Sequence, residues 1–449
     1  MQRHSLKGYL LSMGVVIASS AVTLAGPTPA DSPAKHLPEA FARRAMTAHG
    51  DEASEAIAEL RAMGPDGLRV FLESNRAEID AALKASANSP QNSQVLSALD
   101  SLCQQKDCHA SKLYWYTDIE QAKTAAREER KPILSLRLLG RLDEDLSCAN
   151  SRLFRITLYA NQQVSKLLRE RFVLHWQTVR AVPKVTIDFG DGRKMERTLT
   201  GNSIHYVLDS ECRLIDALPG MYGPGAFLRE LERLVATAAD LADLGNEEDR
   251  KSALRRYHAL RLNELETAWL NDVKRAGLRV APSREIPRPA GVNSSPPSAQ
   301  KAATIAISKT GLIERPILRG MSDDSLLLDS IGRDAGWSII ASLHAQDATM
   351  DVSTRRLMLF KDPSLSRNGA ALQTAIALER SVAEDTVRNE YVLRARIHGW
   401  LMTEKMNPEV ASLNERIYSE LFLTPSSDAW LGLRPVGMYS GIDNDGVRK

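Results

Sequence analysis

A dominant sign of charge is missing from this sequence. Its 58 lysines and arginines stand against 56 aspartates and glutamates, a formal net charge of +2. A general affinity for nucleic acid or another polyanion is therefore not expected. Long apolar runs are missing too. After residue 25 nothing approaches the roughly 18 to 20 apolar residues that cross a bilayer, so the mature chain should hold no stable membrane span. Cysteine is scarce, with four in all: Cys103, Cys108, Cys148 and Cys212. Four thiols leave three pairings open. The near pair, Cys103 and Cys108, is the easiest to close, and its short loop would pin a turn more than add stability through chain entropy. No second copy of any helical unit is found, so a repeat array is not expected.

What is present begins with a targeting segment over residues 1–25. Arg3, His4 and Lys7 are basic, Gly8 to Ala21 is apolar and rich in small residues, and Thr23-Leu24-Ala25 suits cleavage before Gly26. No cysteine follows the apolar run, which removes the usual lipid anchor. The mature chain is expected to be exported, to a periplasm or the extracellular medium, where disulfides persist. At 449 residues it is long for one core, so more than one domain is expected.

The segment 26–110 reads as helical. A Pro-rich opening (26–35) leads to two or three short helices between Leu37 and Asp100, with Ala56, Ile57, Leu60 and Met63 on one face. Gly64-Pro65-Asp66-Gly67 breaks the run, and Ala85–Gln94 reads as a loop. From 111 to 238 the order is helix, strand, helix, helix, strand, hairpins, helix. Thr117 with Glu120 suggests a capping box, and Ile133–Leu139 reads as a buried strand. A helix follows from about Leu146 to Leu158, then another over Asn161–Arg171 and a strand over Phe172–Trp176. Gly190-Asp191-Gly192 is a hairpin turn, Ile204–Asp209 and Leu214–Leu218 form a second hairpin, and Gly225–Ala236 closes the region. Residues 239–276 form a charged helical extension and 277–300 a Pro/Ser-rich linker. The remainder, 301–449, reads as a mostly helical domain, with helices at Ser330–Leu343, Leu372–Val382, Asp385–Leu401 and Ser412–Phe422.

Trp115, Asp118, Ala122 and Ala126, followed by Lys131-Pro132 and the Ile133–Leu139 strand, open residues 111–238 in a way that resembles the thioredoxin-like superfamily, especially its exported branch. The resemblance implies an α/β thioredoxin-like central domain, flanked by a small helical N-terminal segment and a mostly helical C-terminal domain. It also implies a reactive thiol where the helix after the first strand begins, which is Cys148. A redox pair there would read Cys-x-x-Cys. This chain has Cys148-Ala149-Asn150-Ser151, and a hydroxyl at Ser151 cannot form the internal disulfide. Asn150 and Ser151 are candidate donors to a Cys148 thiolate. The clamp proline of the family is absent, its position falling near Ser203, and Asp143, Glu144 and Asp145 stand where a tryptophan is usual. Negative charge there disfavours a thiolate. His205 lies beside the clamp position and could act on a thiol or turn into a polar core. Cys212 reads as a bystander, with a bridge to Cys148 still open.

In the C-terminal part, His344, Asp347 and Asp351 have metal-ligand spacing, but no second histidine or glutamate completes a set. The run Glu384-Asp385-Thr386 with Arg388, Asn389 and Glu390 reads as ion pairs and a cap. Leu413–Leu433, with its aromatic anchors, could dock the helical domain on its neighbour or on a partner. No cofactor or metal is expected. The expected function is a non-catalytic binding or scaffold protein of the cell envelope with a protein partner. The alternative is monothiol thiol–disulfide exchange on a thiol substrate through Cys148.

Overall fold

The computed structural model describes residues 33–84, 90–286, 298–321, 325–367, 369–403, 409–434 and 441–447. The targeting segment 1–25 lies outside them, as do residues 287–297 of the linker. Five helices come first, where two or three were expected: α1 (Pro33–Thr47), α2 (Asp51–Ala62), α3 (Pro65–Ser74), α4 (Arg76–Lys84) and α5 (Pro90–Cys103). α5 reaches into the stretch read as a loop. The helices close on Leu60, Leu68, Phe71, Leu99 and Leu102. Pro65 sits at the start of α3, where a helix needs no N–H. α2 and α3 approach so closely that a Cβ on Gly67 would lie 1.9 Å from the Leu60 carbonyl oxygen. Cys103, ending α5, is disulfide-bonded to Cys108 at the head of the one-turn α6 (Cys108–Ser111), with Cα atoms 6.2 Å apart.

The centre is a mixed four-stranded sheet in the order β2-β1-β5-β6. β1 (Ile133–Leu139) and β2 (Val173–Arg180) run parallel, while β5 (Ile204–Leu208) is antiparallel to β1 and to β6 (Leu214–Pro219). β1 is buried along almost its whole length, with Ser135 and Arg137 the polar residues among its apolar ones. A separate hairpin, β3 (Lys184–Asp188) with β4 (Lys194–Thr198), turns at Gly190–Gly192. The helices of this region are α7 (Ile119–Glu129), α8 (Ala149–Thr157), α9 (Gln162–Arg171) and α10 (Pro224–Ala242). α7 is capped by Asp118, whose carboxylate accepts the Glu120 N–H at 2.8 Å, and not by Thr117. α10 runs past residue 238, and α11 (Glu247–Arg275) carries the charged extension.

Beyond the linker the chain is helical. α12 (Ala299–Ala303) is followed by α13 (Ile307–Lys309), which passes through a π-helical stretch, Thr310–Glu314, into α14 (Arg315–Gly320). α15 (Ser325–Ser330), α16 (Ala335–Leu343) and α17 (Val352–Lys361) come next. α18 (Ala370–Arg388) continues through a second π-helical stretch, Asn389–Arg394, into α19 (Ala395–Thr403). The two helices expected over this span are thus one rod. α20 (Val410–Arg416) also ends in a π-helical stretch, Ile417–Leu421.

The polar run in that rod joins it to the rest of the protein. Asp385 accepts the N–H groups of Ile307 (2.6 Å) and Ser308 (2.9 Å), capping α13. Thr386 Oγ1 accepts the Gly223 N–H at 2.8 Å, and Asn389 Nδ2 donates to the Met221 carbonyl at 2.6 Å. The described start of the linker is tethered as well. Arg284 forks onto Glu266 with both contacts at 2.7 Å and lies 5.4 Å over the Trp269 ring.

His344 and Asp347 lie 3.8 Å apart, but Asp351 does not join them as a third ligand. His344 Nε2 is 2.5 Å from Asp272 Oδ2 on α11, Asp347 is forked by Arg229, and Asp351 caps α17 while accepting the Gln162 N–H. Hydrogen bonds to Asp272 and Asp347 push His344 up to about 9. An unfolded histidine titrates near 6.5. The clamp is therefore at full strength below pH ~6.5 and fades as pH rises through ~9, a loss of about 1–2 kcal/mol after allowing for partial exposure. Denaturant midpoints at about pH 6 and about pH 9.5 should separate the wild type by that amount. His344→Gln should lack this component, and an equal decline in both proteins would assign the titration to another group.

Candidate functional site

β1 ends at Leu139, and Gly140, with φ 74°, turns the chain into the loop that leads to α8. Cys148 is the N-cap residue of α8, and its N–H donates to the Leu139 carbonyl at 3.1 Å. Its side chain is 0 % exposed. Two hydroxyls touch the sulfur: Ser203 Oγ at 3.1 Å and Ser151 Oγ at 3.4 Å. Ser151 also donates to the Cys148 carbonyl at 2.8 Å, which satisfies it locally. Asn150, expected to serve the thiol, does not. Its Nδ2 donates to Asn202 Oδ1 at 2.7 Å and ties α8 to the loop before β5.

That loop is held in an unusual shape. Thr200 and Gly201 both have positive φ, 56° and 77°. A Cβ at Gly201 would lie 2.6 Å from Leu139 Cδ2, so glycine is required there both for conformation and for space. The loop carbonyls are claimed by the C-terminal helices. Lys309 Nζ donates to Gly201 O and the Tyr418 hydroxyl to Asn202 O, each at 2.7 Å. Lys309 is buried against Glu314 at 3.5 Å, and burial pushes the Glu314 carboxyl up. Leu393, Ile397, Ile417, Tyr418, Leu421 and Phe422 belong to the same apolar cluster as Cys148. The Leu413–Leu433 stretch therefore docks on the central sheet of its own chain. A thiolate nucleophile must reach its substrate, and this one is roofed.

The other residues singled out in the sequence serve elsewhere. His205 Nε2 meets the Tyr159 hydroxyl at 2.7 Å, between the rings of Phe154 and Phe227, and burial lowers it to about 3. Cys212 and Cys148 are both free thiols, so no bridge joins them. Burial raises Cys212 to about 11. The acidic approach to α8 is ion-paired: Arg141 holds Asp143, and Asp145 lies 3.9 Å from both Lys106 and Lys361.

Sequence reasoning missed a second polar centre, built around Asp216 of β6. Arg394, 0 % exposed at the end of the π-helical stretch, donates from Nη2 to Asp216 Oδ2 at 2.7 Å. Its Nη1 lies 2.7 Å from Glu230 Oε2 and 3.0 Å from Glu390 Oε1. Tyr257 donates its hydroxyl to Asp216 Oδ2 at 2.7 Å. Beside them, His258 and His398 approach with their Nδ1 atoms 3.0 Å apart. Burial raises Asp216, but Arg394 and the neighbouring polar groups outweigh it and hold the carboxyl far below its ordinary value. One signal was available. An aspartate at the middle of the buried strand Leu214–Pro219 requires a buried partner, although the partner, Arg394, lies 178 residues away.

No helix among the described residues is long and apolar enough to cross a membrane. Compared with known proteins, the chain matches no family model, no curated protein and no solved structure.

Proposed function

We propose that residues 111–238 form a thioredoxin-like domain that has given up thiol chemistry, and that the protein serves as a non-catalytic binding or scaffold protein of the cell envelope. The strand order β2-β1-β5-β6, with a parallel first pair and an antiparallel second pair, supports the fold assignment. So does the placement of Cys148 at the head of the helix after β1, faced by Ser203 where the family has its clamp proline. The envelope assignment rests on residues 1–25.

The observation that carries the functional reading is the complete burial of Cys148, in an apolar cluster it shares with Tyr418 and its neighbours. Binding needs an open surface, and a recess of about 710 Å³ between α3 and the edge strand β2 offers one. Leu72, Tyr114, Tyr116 and Phe172 line it, with Lys112 and Arg169 beside them. A thiol probe applied at neutral pH to folded, unreduced protein tests the reading. Labelling is expected at Cys212 within minutes to hours, whereas Cys148 should react only once denaturant is added. Rapid labelling of Cys148 in the folded state, or mixed disulfides that vanish in Cys148→Ser, would favour the exchange mechanism instead.

A further inference from the structure

The Asp216 centre joins three elements far apart in the chain. β6 contributes Asp216, α11 His258 and α19 His398, and all three are buried. His258 Nδ1 and His398 Nδ1 are 3.0 Å apart, and Asp216 Oδ1 is 4.0 Å from His398 Nδ1. One donor atom from each residue lies within 4.8 Å of the other two. Donors about 2.0–2.2 Å from a shared tetrahedral ion are separated by roughly 3.3–3.5 Å. The triangle is thus within a small adjustment of ligand geometry. We propose that Asp216, His258 and His398 bind a divalent transition metal, zinc by their donor set, as a structural link between the central sheet and the C-terminal helices.

Two imidazole nitrogens and one carboxylate oxygen suit zinc, whereas calcium and magnesium take oxygen. The surroundings orient the ligands as outer contacts do in metal sites. Asp216 Oδ2 is fixed by Tyr257 and Arg394, and its Oδ1 accepts the Ala217 N–H at 2.7 Å, leaving room for one further bond. The Tyr257 ring stands edge-on to both histidines, with centroids 5.1 and 6.2 Å away. Among the described residues His398 Nε2 has no hydrogen-bond partner, so this ring is held through Nδ1, the atom that faces His258 and Asp216.

Full-length protein purified without chelating resin should carry about one equivalent of zinc by elemental analysis. Chelation should lower the midpoint of thermal unfolding by roughly 5 °C or more, and added Zn²⁺ should restore it. Co²⁺ added to the metal-free wild type should give the visible absorption of a four-coordinate nitrogen and oxygen site. His258→Asn and His398→Gln should each lose that absorption while keeping the far-ultraviolet dichroism of the wild type. If these variants fail to fold, the wild-type results alone decide. A folded wild type that arrives metal-free and responds to neither Zn²⁺ nor Co²⁺ overturns the proposal and leaves the histidines as an N–H···N pair. Zinc retained by both folded variants overturns it too, by placing the metal elsewhere.

Discussion

Replacing Arg394 with methionine is expected to destabilise the protein by about 3–5 kcal/mol at neutral pH, as read from denaturant midpoints with the transition slope unchanged. Methionine keeps much of the volume, so the effect is electrostatic. The wild-type guanidinium is 0 % exposed and meets Asp216, Glu230 and Glu390 at 2.7, 2.7 and 3.0 Å. Water cannot take its place at Asp216, which is itself 0 % exposed. A buried charge left without its partner costs more than the pair contributed, because its desolvation is then unopposed. In the wild type, Arg394 holds Asp216 low against burial, so this contribution is present above the unfolded carboxyl value and fades as pH falls through the range below it. In the variant the direction reverses. The stranded carboxylates take up protons more readily than unfolded ones do, so the deficit should be larger at about pH 8 than at about pH 5. A loss below about 1 kcal/mol, or one independent of pH, would mean that the cluster is hydrated and screened.

Such a centre is hard to read in a sequence because the elements that build it lie far apart, Asp216 being 41 residues from Tyr257 and 178 from Arg394. The features that were legible depend on near neighbours. Ile133–Leu139, five of its seven residues apolar, becomes the buried β1, and Gly190-Asp191-Gly192 turns a hairpin between β3 and β4. Cys103 and Cys108 are five apart and bonded. Where the reading slipped, a distant partner had decided the matter. α18 and α19 looked like two helices because Glu384-Asp385 interrupts the apolar pattern. That interruption is the face which meets Ile307 and Ser308, 78 and 77 residues from Asp385. Asn150 looked like a donor to the neighbouring thiol, yet its amide reaches Asn202 across 52 residues. Cys148 itself was placed correctly at the head of its helix. It is buried in an apolar cluster that also holds Tyr418, whose hydrogen bond to Asn202 spans 216 residues.

Tyr418→Ala should therefore act on stability and on the thiol together. The side chain is 0 % exposed, with its ring edge-on to Phe422 at 5.2 Å and the Arg180 guanidinium 5.9 Å from its centroid. Truncating a buried aromatic ring to alanine costs about 3–5 kcal/mol, and here the Asn202 carbonyl also loses its donor. Much of that cost falls on the contact between the C-terminal helices and the Cys148 loop, so local opening becomes easier. Each 1.4 kcal/mol is about tenfold in an opening equilibrium, and Cys148 labelling should accelerate by roughly a hundredfold relative to Cys212. Tyr418→Phe keeps the ring and removes the hydroxyl. It should cost about 1–3 kcal/mol and speed labelling by about tenfold or less. If stability falls in the alanine variant while the ratio of Cys148 to Cys212 labelling stays put, Tyr418 is packing and not the seal. If Cys148 becomes fast and also exchanges with disulfides, the monothiol chemistry is covered, not lost. A fast thiol without exchange would leave Cys148 a structural cysteine, whatever covers it.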